Sequence, residues 1–247
     1  MMNKCRKHGF HPATWFLGGT WMVVLISWIS DIYGVYILQP DTGEMVRIQS
    51  LLSSEGVRWW LRSMIDNFTR FTYPGQVIVA SLGIGVALHA FAGYRSHSHK
   101  KYRALMTAML IAGIYISLTM FITFASGGIL RGINGEISLL PHMDDLIFLF
   151  SLGMGLTGMA YGYASDRYRK DHNILEGLTY MMPFLGIYFV ISFFASQLFA
   201  CIEYTRIDKF LALWLGHLTV PWHLLYGLPL LLAFSQYRHQ LFSKPAK

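Results

Sequence analysis

Apolar residues along this chain gather into runs of about twenty, each bounded by polar or basic stretches. A run of that length crosses a hydrocarbon layer roughly 30 Å thick as a single helix. The pattern predicts spans over 13–33, 73–91, 104–125, 146–163, 181–200 and 210–234, the last interrupted by Pro221 and Pro229. His11-Pro12 precedes the first run and suits a helix start. Trp15, Trp21, Trp28 and Tyr33 lie towards its two ends, as interfacial aromatic belts do. Between the first two spans, Gln39-Pro40-Asp41-Thr42-Gly43 is a turn signal. From Ser53 or Ser54 to about Phe68, apolar residues (Val57, Trp60, Leu61, Met64, Ile65, Phe68) recur at helical spacing against Glu55, Arg58, Arg62 and Asp66. Ser54 is the expected cap, and a helix lying in the membrane interface is the expected element. The predicted fold is therefore all-α: one polytopic transmembrane domain over residues 1–247, with about six spans and an outer-side amphipathic helix.

Composition agrees with the pattern: 54% of residues are hydrophobic and 13% charged, about half the charged fraction of an ordinary soluble domain. The net charge of +7 invites a nucleic-acid reading, but Lys and Arg fall almost wholly between the apolar runs, where they orient a membrane protein. No nucleic-acid partner is expected; the lipid bilayer is. With the N-terminus inside, the inner segments hold Lys4, Arg6, Lys7, Arg95, Lys100, Lys101, Arg103, Arg167, Arg169, Lys170, Arg238, Lys244 and Lys247. The outer ones hold Arg47, Arg58, Arg62, Arg70, Arg131, Arg206 and Lys209. That asymmetry places both termini in the cytoplasm. The first apolar run is too long for a signal-peptide core and lacks a small-residue cleavage site, so it reads as a retained helix. Cys5 and Cys201 fall on opposite sides of the membrane on this topology, so no disulfide is expected between them.

Little in the spans carries chemistry. An ionisable side chain in mid-membrane flags function, because it costs several kcal/mol to place there. Asp144 and Asp145 open span four, while Asp31 and Glu203 close spans one and five. They read as interfacial anchors and caps, with an ion or proton site as the alternative. His217 and His223 flank Pro221 at depth; they bridge packed helices or, alternatively, line a path where the proline exposes carbonyls. Gln197 divides the same way between helix-helix glue and substrate contact. His97 and His99, with His89 nearby, have a metal-binding reading that neighbouring lysines oppose, so neither metal nor cofactor is expected. Gly153, Gly155, Gly158 and Gly162 form a small-residue face for close helix approach, within the chain or between subunits, with a thin-walled substrate path as the alternative. No phosphate loop, nucleophile-base set or paired carboxylates point to an enzyme.

Several ordered motifs resemble one family. His11-Pro12-Ala13-Thr14-Trp15-Phe16-Leu17, Pro40-Asp41-Thr42-Gly43-Glu44 and Leu51-Leu52-Ser53-Ser54-Glu55-Gly56-Val57-Arg58-Trp59 are similar to the N-terminal region of the p-aminobenzoyl-glutamate transporter (AbgT) family. Asn67-Phe68-Thr69 and Leu82-Gly83-Ile84-Gly85-Val86-Ala87 continue the likeness. So do Met143-Asp144, Ile147-Phe148-Leu149-Phe150, Gly158-Met159-Ala160-Tyr161-Gly162, Tyr188-Phe189-Val190 and Phe193-Phe194-Ala195-Ser196-Gln197-Leu198. The resemblance implies a dimeric, ion-gradient-driven carrier of p-aminobenzoyl-glutamate or related aromatic anions in the bacterial inner membrane. Members of that family are longer and carry two re-entrant hairpins beside the substrate path. After Ala87 this chain turns almost at once into its basic loop, and between Leu211 and Pro229 it is short. Both hairpins are therefore expected to be missing or reduced, and the alternative function is a membrane scaffold, adaptor or effector that kept the frame without them.

Overall fold

The computed structural model describes residues 11–38, 45–92, 94, 99–124, 143–209 and 227–243. The helices are α1 (Pro12–Ile32), α2 (Ser54–Thr72), α3 (Pro74–Phe91), α4 (His99–Phe124), α5 (Met143–Ala164), α6 (Asp171–Leu178), α7 (Met182–Thr205) and α8 (Leu228–Ser243). Two short strands, β1 (Tyr36–Leu38) and β2 (Met45–Arg47), pair antiparallel with Tyr36 opposite Arg47 and Leu38 opposite Met45. Five stretches are long and apolar enough to cross a membrane: Pro12–Ile32, Pro74–Phe91, His99–Phe124, Leu146–Ala164 and Asp171–Thr205. Most of the sixth expected span, residues 210–226, lies outside the described residues. α8 starts at Leu228, which puts Pro229 in a first turn where its missing N–H costs nothing.

Contacts group the chain into two compact units. The first holds residues up to Tyr73 and those from Gly186 onward. In it, α1 opens with Pro12 behind His11, whose Nδ1 accepts from the Ala13 N–H at 3.3 Å. Ser27 is fully buried; its hydroxyl donates to the Val24 carbonyl and accepts from the Leu51 N–H, tying α1 to the segment before α2. Ser53, not the expected Ser54, caps α2, accepting from Gly56 N–H at 3.0 Å. A β-carbon on Gly56 would stand 2.5 Å from the Ser50 carbonyl oxygen, so this turn admits only glycine. α2 ends at Tyr73 in the left-handed region (φ 45°), and Pro74 follows as the start of α3. Val23, Leu51, Cys201 and Ile207 form its core cluster.

The second unit, Pro74–Leu185, is built on α3 against α5. Ser151 stitches the two, accepting from Gly83 N–H at 3.2 Å and donating to the Val79 carbonyl at 2.5 Å. Such bonds between membrane helices contribute on the order of 1 kcal/mol each. α5 ends at Ala164, and just beyond it stands Asp166 (φ 61°), whose carboxylate pairs with Lys100 and, at 3.3 Å, with Arg169. The Lys100 hydrogen bond holds the Asp166 carboxyl below the usual aspartate range.

Four elements differ from the sequence expectation. β1 and β2 flank the predicted turn, but three residues a side are too short to show a period of two. α4 begins at His99, so Lys100, Lys101 and Arg103, expected in a loop, sit in its first turns. The polar segment between predicted spans four and five, for which no element was predicted, contains most of α6. The exposed faces confirm the environment: Trp21, Ile32, Leu110, Ile114 and Phe121 are each about 60–70% exposed. Water does not tolerate apolar faces of that extent, and lipid does.

Candidate functional site

In the first unit, α2 and α7 pack through their aromatic faces. Phe68 meets Phe189 and Phe193 at ring distances of 6.2 and 5.8 Å, and Trp59 stacks on Tyr204 at 4.1 Å. Gln197, buried in α7, donates through Nε2 to the Met64 carbonyl of α2 at 2.9 Å. That is the expected helix-helix glue. Beside this contact a polar pocket of about 430 Å³ opens between the helices, lined by Trp59, Ser63, Asp66, Asn67 and Arg70 of α2 and Ala200, Glu203 and Tyr204 of α7. Arg70 and Glu203 pair across it at 3.0 Å. Asn67 is 7% exposed, and its Nδ2 has no partner.

Next to it lies a second polar pocket of about 340 Å³, lined by Ile37, Val46, Glu203, Arg206, Asp208 and Lys209. Burial pushes the Asp208 carboxyl above its usual range, and one of its oxygens has no hydrogen-bond partner. Asp31, at the end of α1, pairs with Arg47 of β2 at 2.8 Å. Asp31 and Glu203 are thus each held in an ion pair at a helix end.

The glycine face belongs to the second unit and packs inside the chain. A β-carbon on Gly158 would stand 2.7 Å from the Ala87 backbone, and one on Gly162 would strike the Tyr168 ring. At Gly155 the corresponding distance to Gly83 is 3.7 Å, an ordinary contact. Tyr168 is the residue that sequence reasoning missed. Its ring fills the notch at Gly162, and its hydroxyl donates to the Val86 carbonyl at 2.9 Å. With that proton committed, His89 Nδ1, 3.2 Å away, acts as the donor to the same oxygen. His89 is therefore occupied by Tyr168, and among the described residues no three His, Cys, Asp or Glu side chains converge as a metal set. An apolar groove of about 430 Å³ also lies between α4 and α5, where the hydroxyls of Tyr115, Thr119 and Thr157 all bond to helix carbonyls.

His217 and His223 lie outside the described residues. Asp144 sits in the first turn of α5, where the helix dipole favours a negative charge. Asp144 belongs to the second unit and Gln197 to the first.

Multiple apolar helices with lipid-type faces and few charges at depth define a polytopic helical membrane protein. Two stretches, 4–96 and 89–237, match the family described as "AbgT putative transporter family". The chain belongs to the AbgT family. The two stretches overlap over 89–96, so no residue of this chain separates them. The chain is 27% identical over 145 residues to the p-aminobenzoyl-glutamate transport protein of Escherichia coli (strain K12). That match takes in 56% of this chain but only 26% of the Escherichia coli protein. Two solved structures share the fold. The Alcanivorax borkumensis YdaH transporter superposes with a TM-score of 0.71 at 17% identity, covering 86% of this chain and 75% of its own. Neisseria gonorrhoeae MtrF, described with a class of antimetabolite efflux pumps, gives 0.74 at 16% identity, covering 87% and 74%.

Proposed function

We propose that this protein moves p-aminobenzoyl-glutamate or related aromatic anions across the bacterial inner membrane, driven by an ion gradient, as a homodimer with both termini in the cytoplasm. The observation that carries this is family membership over nearly the whole chain, together with the similarity to a transport protein for that compound. The fold agrees with those of two transporters. The candidate path residues are His217 and His223 about Pro221, Asp144, and Gln197, whose Nε2 holds Met64 while its buried Oε1 is left without a partner. No observation favours the scaffold or effector alternative.

Reconstitution tests the proposal. Purified protein in vesicles is expected to show flux of radiolabelled p-aminobenzoyl-glutamate that follows an imposed sodium or proton gradient and stops when an ionophore dissipates it. His223→Ala is expected to lower that flux by about tenfold, roughly the loss of one charge-assisted hydrogen bond. Wild-type vesicles that give no gradient-dependent flux in either direction would sink the carrier assignment.

A further inference from the structure

The pocket between α2 and α7 has a composition that selects a ligand. Trp59, Ser63, Asp66, Asn67 and Arg70 lie on one side of α2 at helical spacing. Val57, Leu61 and Ile65, also spaced four apart, fall on the opposite side and are 41%, 62% and 74% exposed. In an interfacial helix that apolar stripe is the side that meets lipid. The pocket therefore faces water, and its occupant is a dissolved solute rather than a lipid headgroup.

Charge and hydrogen-bonding capacity narrow the class. Asp66 and Glu203 outweigh Arg70 by one negative charge, and Arg70 is already engaged by Glu203. Among the described residues neither the Asp66 carboxylate nor the Ser63 hydroxyl has a side-chain partner, so both are free to accept from a cationic amine. Asn67 presents the opposite need: a buried amide donor with no acceptor. A simple anion would meet Asp66 unfavourably, and a simple cation would leave Asn67 unmet. A solute carrying both an ammonium group and a carboxylate satisfies both. The stacked Trp59 and Tyr204 supply a flat apolar wall for its side chain, and a volume of about 430 Å³ lies within the range of small-molecule pockets.

We propose that this pocket is a binding site for a free amino acid, with its ammonium group on Asp66 and Ser63 and its carboxylate on the Asn67 amide beside Arg70. The site adjoins Gln197, one of the path residues proposed above, but it is tested by binding alone, so its failure and the failure of the transport reading are distinguishable.

Titration calorimetry on the full chain in detergent, with L-phenylalanine as the probe, is the test. Saturable binding is expected. N-acetyl-L-phenylalanine, which lacks the ammonium group, and phenethylamine, which lacks the carboxylate, are each expected to bind about tenfold more weakly or worse. Asp66→Asn is expected to weaken L-phenylalanine to a similar degree. Asp66 is exposed, so that variant should unfold at the wild-type temperature. Lys170→Gln, at an exposed position of the second unit, should stay within about twofold of wild type. The proposal is overturned by no heat of binding up to about 10 mM, by N-acetyl-L-phenylalanine binding as well as the free amino acid, or by undiminished affinity in Asp66→Asn.

Discussion

At the scale of single residues, the polar side chains divide into those whose partners are neighbours in the chain and those whose partners come from far along it. Gln197 was legible as helix glue because an amide at depth must find a partner, yet its acceptor, the Met64 carbonyl, lies 133 residues away. No local pattern names such a partner. Tyr168 was invisible for the same reason: in sequence it is one aromatic in a polar stretch, and only the fold places it against Gly162 and Val86. Asp208 gives a pH prediction. Burial raises its carboxyl above the ordinary value near 3.8. In the window above that value the folded protein keeps a proton that the unfolded chain has released, so its contribution favours folding in acid. That contribution declines as pH rises through the folded value. Asp208→Asn removes the titration. Its unfolding temperature is expected to exceed wild type near pH 7 and to converge with it near pH 4, as thermal scans in detergent would show. A difference that is constant across that range would mean Asp208 is not the titrating group.

Among elements, long periodic or apolar segments were legible, while short ones were not. The apolar runs and the amphipathic pattern of α2 place six of the helices to within about five residues at each end, because burial and lipid exposure both act over many positions. β1, β2 and α6 escape because three or eight residues carry too little period to read. The glycine face was legible as close packing, but its partner was not, since small residues declare approach without saying to what. The structure supplies the answer, α3 at Gly155 and Gly158 and the Tyr168 ring at Gly162, and with it a contrast between neighbours on one helix. At Gly158 an added methyl meets Ala87 backbone, which cannot rotate away; at Gly155 it meets ordinary contact. Gly158→Ala is expected to cost about 1–3 kcal/mol as overpacking. Gly155→Ala should be neutral or stabilising by about 0.5–1 kcal/mol, because alanine suits a helix better than glycine does. Unfolding midpoints of the two purified variants decide it, and equal midpoints would remove Gly158 from the α3–α5 contact.

For the whole molecule, membrane class and family follow from features spread along the entire chain, whereas topology follows from a charge count. Five described stretches qualify as spans, and a sixth was expected over 210–234. If that sixth span crosses, an even number of crossings puts both termini on one side. The surplus of Lys and Arg in the segments between spans then makes that side the cytoplasm, because moving those cations across the bilayer opposes the membrane potential by about 2.3 kcal/mol per charge at 100 mV. Reporter fusions at Lys247 separate the cases cleanly. A green fluorescent reporter there should glow, and alkaline phosphatase at the same position should stay inactive. The same phosphatase fused within 125–142, the segment between α4 and α5, should be active, since that loop is assigned to the outer side. An active phosphatase at Lys247 with a dark fluorescent fusion would leave an odd number of crossings. The 210–234 segment would then be unable to span, and the path assigned around His217 and His223 would lose its place in the membrane.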